Sequence, residues 1–155
     1  MTSIRALLDK WIEKSRMISN TSEYALRALV ALAGPVDGTT MQARELARIT
    51  KVPPSYLYKI LATLRRAGIL SGSRGIRGGY SLARKPGEIR LIEVVSLFEV
   101  VRPNEACLLG EFDRCDDDSP CSAHRDWKQV QKTYNEFIQS RTIADLADGQ
   151  PRDCG

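Results

Sequence analysis

The chain has 155 residues, 43% apolar and 27% charged, with a formal net charge of +4, a size that supports one core or a compact domain with a smaller appendage. No apolar run approaches the ~20 residues of a membrane span, and the N-terminal MTSIRALLDKWIEKSR, broken by Asp9, Lys10 and Glu13, does not read as a signal peptide, so a cytoplasmic protein without a membrane partner is expected. The charge is unevenly spread: residues 41–90 carry eleven Lys/Arg against Glu45 and Glu88, whereas residues 104–121 carry six carboxylates against Arg114, which predicts a polyanion partner for the basic middle and a different task for the acidic loop.

In chain order, Ile4, Leu7, Leu8, Trp11 and Ile12 recur at helical spacing and predict a short amphipathic helix over 4–12. Its opposite face is mixed in charge, which favours packing on the core over lying on a membrane. The next helix is expected over 20–33, with Asn20 and Glu23 spaced as a capping box and Gly34-Pro35 as its end. Residues 41–50 predict a second helix with Leu46 and Ile49 inward, and VPPS then breaks the chain. From Ser55 onward, YLYKILATLRRAG places Leu57, Ile60, Leu61 and Leu64 on one stripe and leaves Ser55, Lys59, Thr63 and Arg66 elsewhere. Two short helices joined by a tight turn, the second polar and basic outside, make a helix-turn-helix.

After Gly68 the stretch ILSGSRGIRGGYSLAR changes to a period of two around a glycine-rich turn, which predicts a β-hairpin with Arg74 and Arg77 at its turn. A helix-turn-helix followed by a basic hairpin is a winged helix. Residues 91–101 (LIEVVSLFEVV) read as an apolar helix. Further on, Trp127, Val130, Tyr134 and Phe137 recur at three, four and three, a seam for a partner helix. Thr142 opens a short last helix, TIADLA, and the tail from Asp148 is expected to be disordered. The expected fold is mainly α with a small β-hairpin. Its parts are an N-terminal extension (1–15), a winged helix-turn-helix DNA-binding domain (16–90), a cysteine loop with a long seam-bearing helix (91–147) and a tail (148–155).

Duplex DNA is held through its phosphates by Lys, Arg, hydroxyls and helix N-termini and read by a helix that enters the major groove. Pro54, Ser55, Tyr56, Tyr58 and Lys59, at the start of the third helix, are the residues that a helix-turn-helix presents to base edges and flanking phosphates. Arg65 and Arg66 lie two turns on, as backbone contacts or solvated charges, and Arg74 and Arg77 supply the wing. Arg44, Arg48 and Arg90 read as solvated helix faces. A nucleotide-phosphate loop is set aside for the hairpin turn, because it lacks the Walker Gly-Lys-Ser/Thr and joins two strands. An enzyme is not expected: the sole histidine lies beside the cysteines, and no linear motif supplies a nucleophile, a base and an orienting group.

Residues 107–124, CLLGEFDRCDDDSPCSAH, gather three of the four cysteines and the only histidine. In a reducing cytosol such a group binds metal or does redox chemistry more often than it forms disulfides. Seven residues separate Cys107 from Cys115 and five separate Cys115 from Cys121. An iron–sulfur cluster takes three or four thiolates on a loop that wraps it, whereas zinc favours ligand pairs only about two to four residues apart. Spacing favours the cluster and leaves open a zinc site with His124 as fourth ligand. Asp116, Asp117 and Asp118 read as a solvated turn, and Cys154 as an exposed thiol.

On RMISNTSEYALRALVALA, PPSYLYKILATLRRAGIL, SRGIRGGYSLAR and LIEVVSLFE, the chain resembles the Rrf-two family of bacterial winged-helix regulators, the IscR/NsrR/RirA group, over roughly residues 16 to 147. The resemblance implies a homodimer on a pseudo-palindromic operator, with 127–138 as the dimerisation helix. It also implies cluster ligation by Cys107, Cys115 and Cys121, whose seven-and-five spacing looks RirA-type and differs from the five-and-five of IscR. His124 falls where IscR has a histidine ligand, and its alternative is a helix N-terminal histidine. Glu23 falls where NsrR-like members have an acidic ligand donated by the other subunit, and its alternative is the capping box with Asn20. The expected function is a DNA-binding repressor controlled by an iron–sulfur cluster, four-iron four-sulfur in preference to two-iron two-sulfur. The alternatives are a regulator with structural zinc or thiol-redox cysteines, and a small iron–sulfur redox protein.

Overall fold

The computed structural model describes residues 17–34, 40–73, 75, 78–100, 108 and 117–148. The helix expected over 4–12, Arg74 and Arg77 of the wing turn, Cys107, Cys115 and Cys154, and the tail beyond Asp148 lie outside the described residues.

The first helix, α1 (Asn20–Leu32), buries Ala25, Ala28, Leu29 and Leu32. Its cap differs from the expected Asn20–Glu23 box. Ser19 is the N-cap, and its hydroxyl accepts the Ser22 N–H at 3.1 Å. The acid that completes the cap comes from far away in sequence: the Ser19 N–H donates to both Glu99 carboxylate oxygens (3.1 and 3.3 Å) and the buried Ser22 hydroxyl donates to the same carboxylate. A carboxylate at a helix N-terminus satisfies donors the helix leaves unpaired and meets the positive end of its dipole.

Helix α2 (Ala43–Thr50) turns Leu46, Ala47 and Thr50 inward, and Thr50 Oγ1 satisfies its hydrogen by donating to the Leu46 carbonyl at 2.6 Å. Ile49, expected inside, is 44% exposed. The helix makes barely two turns, and Thr50, once hydrogen-bonded locally, takes the inward place at no polar cost. Lys51 ends it in the left-handed region at φ 57°. Helix α3 (Pro54–Arg66) starts on a proline, whose fixed φ suits a first helical turn, and buries the whole expected stripe of Leu57, Ile60, Leu61 and Leu64.

Strands β1 (Leu70–Ser73) and β2 (Gly79–Leu82) pair antiparallel, with Leu70 opposite Leu82 and Ser73 opposite Gly79. Met41 and Tyr80 exchange backbone hydrogen bonds of 2.9 and 2.8 Å, which staples the hairpin to the chain entering α2. That approach requires glycine at the neighbouring position, since a Cβ on Gly79 would sit 2.5 Å from the Met41 carbonyl oxygen.

A 3₁₀ turn (Pro86–Glu88) leads to α4 (Leu91–Val95). The helix expected through residue 101 stops at Val95: the backbone tightens, with the Leu97 and Phe98 N–H donating three residues back to Val94 and Val95 at 3.2 and 3.1 Å, and Glu99 is drawn to α1. Helix α5 (His124–Ser140) follows the cysteine segment, and α6 (Ile143–Ala147) is capped reciprocally by Thr142 and Asp145. Ile138 and Ile143 join Leu29, Leu46, Leu57, Leu61, Ile89 and Val94 in one core, so the segment around residues 138–143 closes back over the helix-turn-helix. The architecture is the expected mainly helical one with a two-stranded hairpin. Among the described residues no helix is long and apolar enough to cross a membrane.

Candidate nucleic-acid interface

Burying the leucine stripe of α3 leaves its other face in water. Ser55, Tyr56, Tyr58 and Lys59 are exposed along the first two turns, and Arg65 and Arg66 along the last. The first turn carries no acid, so nothing there repels a phosphate. Arg66 Nη2 donates to Thr63 Oγ1 at 3.2 Å and that hydroxyl donates to the Lys59 carbonyl at 3.1 Å, which aligns Lys59, Thr63 and Arg66 along one ridge. Arg65 lies along the wing instead, its side chain 3.6 Å from where a Cβ on Gly72 would stand. The structure thus brings the described DNA-contact candidates onto one face, with the hairpin beside it.

Tyr56 is held from behind. Its ring meets that of Tyr24 on α1 edge to face, with centroids 6.1 Å apart at 86°. The Arg27 guanidinium lies 5.9 Å from the centre of the Tyr24 ring and also pairs with Glu23 at 2.5 Å. A continuous set of contacts therefore runs from Glu23, a candidate ligand, to Tyr56 on the recognition helix.

Cys121, half-buried, stands one turn before α5, and its carbonyl accepts the His124 N–H at 3.0 Å. The His124 side chain, 13% exposed, places Nε2 at 2.7 Å from Asp117 Oδ1, which also takes Lys128 Nζ at 2.6 Å. The Lys128 hydrogen bond, and after it that of His124, holds the Asp117 carboxyl below its ordinary value. Asp117 is thus exposed but engaged. Glu23, Cys121 and His124 are not brought together: among the described residues no three Cys, His, Asp or Glu form a metal-holding group within one chain. What the chain does offer a cluster is donor chemistry, a cysteine with an imidazole one turn away and two further cysteines upstream in sequence.

Sequence reasoning missed the junction that ties these parts. Besides the Glu99 clasp on Ser19 and Ser22, the Tyr134 hydroxyl of α5 donates to the Met17 carbonyl at 2.8 Å. Burial, followed by the nearby Glu99 charge, pushes the Tyr134 phenol above its ordinary value. The one local signal was an acid ending an apolar run, LIEVVSLFE.

Comparison with known proteins supplies further findings. The profile of the Rrf2 family, described as an iron-dependent transcriptional regulator, matches residues 18–149. A protein of Aquifex aeolicus described as an HTH-type transcriptional regulator is 33% identical over 132 residues, which is 84% of this chain and 90% of that one. Among solved structures, CymR, the global cysteine regulator of B. subtilis, superposes with a TM-score of 0.67 at 23% identity, covering 85% of this chain and 96% of its own. IscR of T. potens superposes with a TM-score of 0.59 at 26% identity, covering 86% and 87%. The same backbone architecture therefore recurs in CymR and in IscR.

Proposed function

The chain belongs to the Rrf2 family of DNA-binding transcriptional regulators, and from that premise we propose that it is a repressor of the IscR/NsrR/RirA type, acting in the cytoplasm as a homodimer on a pseudo-palindromic operator and controlled by an iron–sulfur cluster. The observation that carries this reading is the set Cys107, Cys115 and Cys121 in the segment leading into α5, in a family described as iron-dependent. These three thiolates hold the cluster, and His124 or Glu23 completes it. When bound, a four-iron four-sulfur cluster supplies a cross-link that oxidants, nitric oxide or iron loss can dismantle.

The rest falls to the protein's own residues. Ser55, Tyr56, Tyr58 and Lys59 enter the major groove, and Arg65, Arg66, Arg74 and Arg77 hold phosphates. A signal at the loop reaches them by differential stabilisation of one placement of α1 over another. Glu99 ties the start of the loop to the α1 N-terminus, and the contacts from Glu23 through Arg27 and Tyr24 end on Tyr56. Val130 and Phe137, both 45% exposed, are available to a second copy of the chain.

The test is protein purified without oxygen, analysed for iron, sulfide and zinc and by visible absorbance. A brown chromophore lost in Cys121→Ala and retained in Cys154→Ala is expected. Zinc without iron or sulfide, with apo-protein that unfolds, would replace the cluster by a structural metal and leave DNA binding untouched.

A further inference from the structure

Each base pair shows a distinct set of groups in the major groove, and each side-chain type suits only some of them. Carboxylates accept from cytosine N4, Asn and Gln pair with adenine N6 and N7, Arg and Lys donate to guanine O6 and N7, and apolar surface meets the thymine methyl. The sequence of α3, PSYLYKILATLRR, contains no Asp, Glu, Asn or Gln, so its direct readers for cytosine and adenine are absent. What it exposes in its first two turns is Ser55, the rings of Tyr56 and Tyr58 at 48% and 53% exposure, and Lys59.

Two half-exposed aromatic rings within the first turn and a half of the helix, on either side of Ser55 and Lys59, are costly in water and carry much of the contact area of an interface. Tyr56 is moreover placed in advance: its edge-to-face packing on Tyr24 holds the ring before any ligand arrives. The surrounding charge, Lys59, Arg65 and Arg66 with no acid on the helix, fits a polyanion. The thymine C5-methyl is the apolar group that the major groove of such a polyanion offers.

We propose that Tyr56 and Tyr58 read thymine methyl groups and Lys59 a guanine, so that the operator half-site is thymine-rich beneath the first two turns of α3. The inference rests on α3 lying in the major groove, and it adds the base class that this surface selects. The competing role for the tyrosines is a hydroxyl bond to phosphate, which would be blind to the methyl.

The full-length protein is used to select duplexes from a random-sequence library. In a selected duplex each thymine is then replaced singly by deoxyuridine, which removes the methyl and leaves the hydrogen-bonding edge and the protein unchanged. About four-fold weaker binding per contacted thymine is expected from the loss of one buried carbon. Tyr56→Phe should keep that discrimination and Tyr56→Ala should abolish it at one position of the half-site. Uniform indifference to uracil in a tightly bound duplex overturns the proposal. So does a Tyr56→Phe variant as weak as Tyr56→Ala, which would assign the hydroxyl to phosphate. If the parent selects no sequence at all while binding duplex in a salt-dependent way, the placement of α3 in the groove falls first.

Discussion

Helices α3 and α5 are both amphipathic, yet they stand in different relations to the chain they belong to. In α3 four apolar side chains are at most 1% exposed and the other face is polar and basic. The longer α5 buries only Gln131 and Ile138, while Val130 and Phe137 are 45% exposed and Trp127 is part-covered. In α3 the aliphatic stripe is wholly covered by its own chain, and the remaining face, with the half-exposed rings of Tyr56 and Tyr58 beside Lys59, is turned to a ligand. A helix with apolar residues left over on a second face is finished by something else. The difference matches the two proposed roles, α3 as the reader of DNA and α5 as the contact with a second copy of the chain.

The largest expected effect tests the finished helix. Leu61 is fully buried at the centre of the α3 stripe, and Leu61→Ala should cost ~2–5 kcal/mol, the transfer term plus the cavity left behind. Urea denaturation should show a lower midpoint with little change in slope. A loss within ~0.5 kcal/mol, typical of surface positions, would put α3 in the same class as the outer face of α5 and dissolve the contrast.

The second effect concerns the unfinished helix. Val130→Asp should leave the folding of the single chain within ~0.5 kcal/mol of the parent, because the side chain faces outward. It should weaken self-association by the ~1.5–3 kcal/mol that burial of a valine supplies, and operator affinity should fall with it. Sedimentation at several concentrations checks this. A parent that is monomeric throughout, or a dimer indifferent to the charge, would remove α5 from assembly.

Legibility in the sequence divides along the same line. The α3 stripe was legible because four residues within one helix encode it, and the hairpin because period two and a glycine turn are local. The alternation Trp127, Val130, Tyr134, Phe137 identified a face but not what each residue meets, since Tyr134 turns to Met17 while Val130 and Phe137 face outward. Ile49 misled because its spacing from Leu46 suits an inward place that Thr50 occupies. The Glu99 clasp had no local signature, as its partners stand 77 and 80 positions away. Arg74, Arg77, Cys107 and Cys115 remain sequence-based assignments, and Glu23 and His124 were legible as candidate ligands but not as partners of Arg27 and Asp117.

The smallest effect lies between the two regions, where Glu93 of α4 holds Arg84 just past the end of the hairpin. Its carboxylate accepts Arg84 Nη2 at 2.6 Å and the Arg90 N–H at 3.2 Å. The Arg84 hydrogen bond, more than any other influence, holds its pKa below the ordinary value of 4.5, with burial, the next largest influence, opposing it. A carboxyl depressed in the folded state contributes stability that is fully present above its unfolded value and lost as pH falls through the folded one. Glu93→Gln should therefore cost at most ~1 kcal/mol near neutrality, since the pair is part-exposed and screened, and the difference from the parent should close as the pH drops below 4.5. Asp117, also depressed, is exposed seven residues ahead of α5, and Asp117→Asn should barely move the same acid titration of denaturation. If Asp117→Asn proved the more damaging of the two, the loop end of α5 would be better built into the single chain than its exposure indicates, and the contrast with α3 would narrow to Val130 and Phe137.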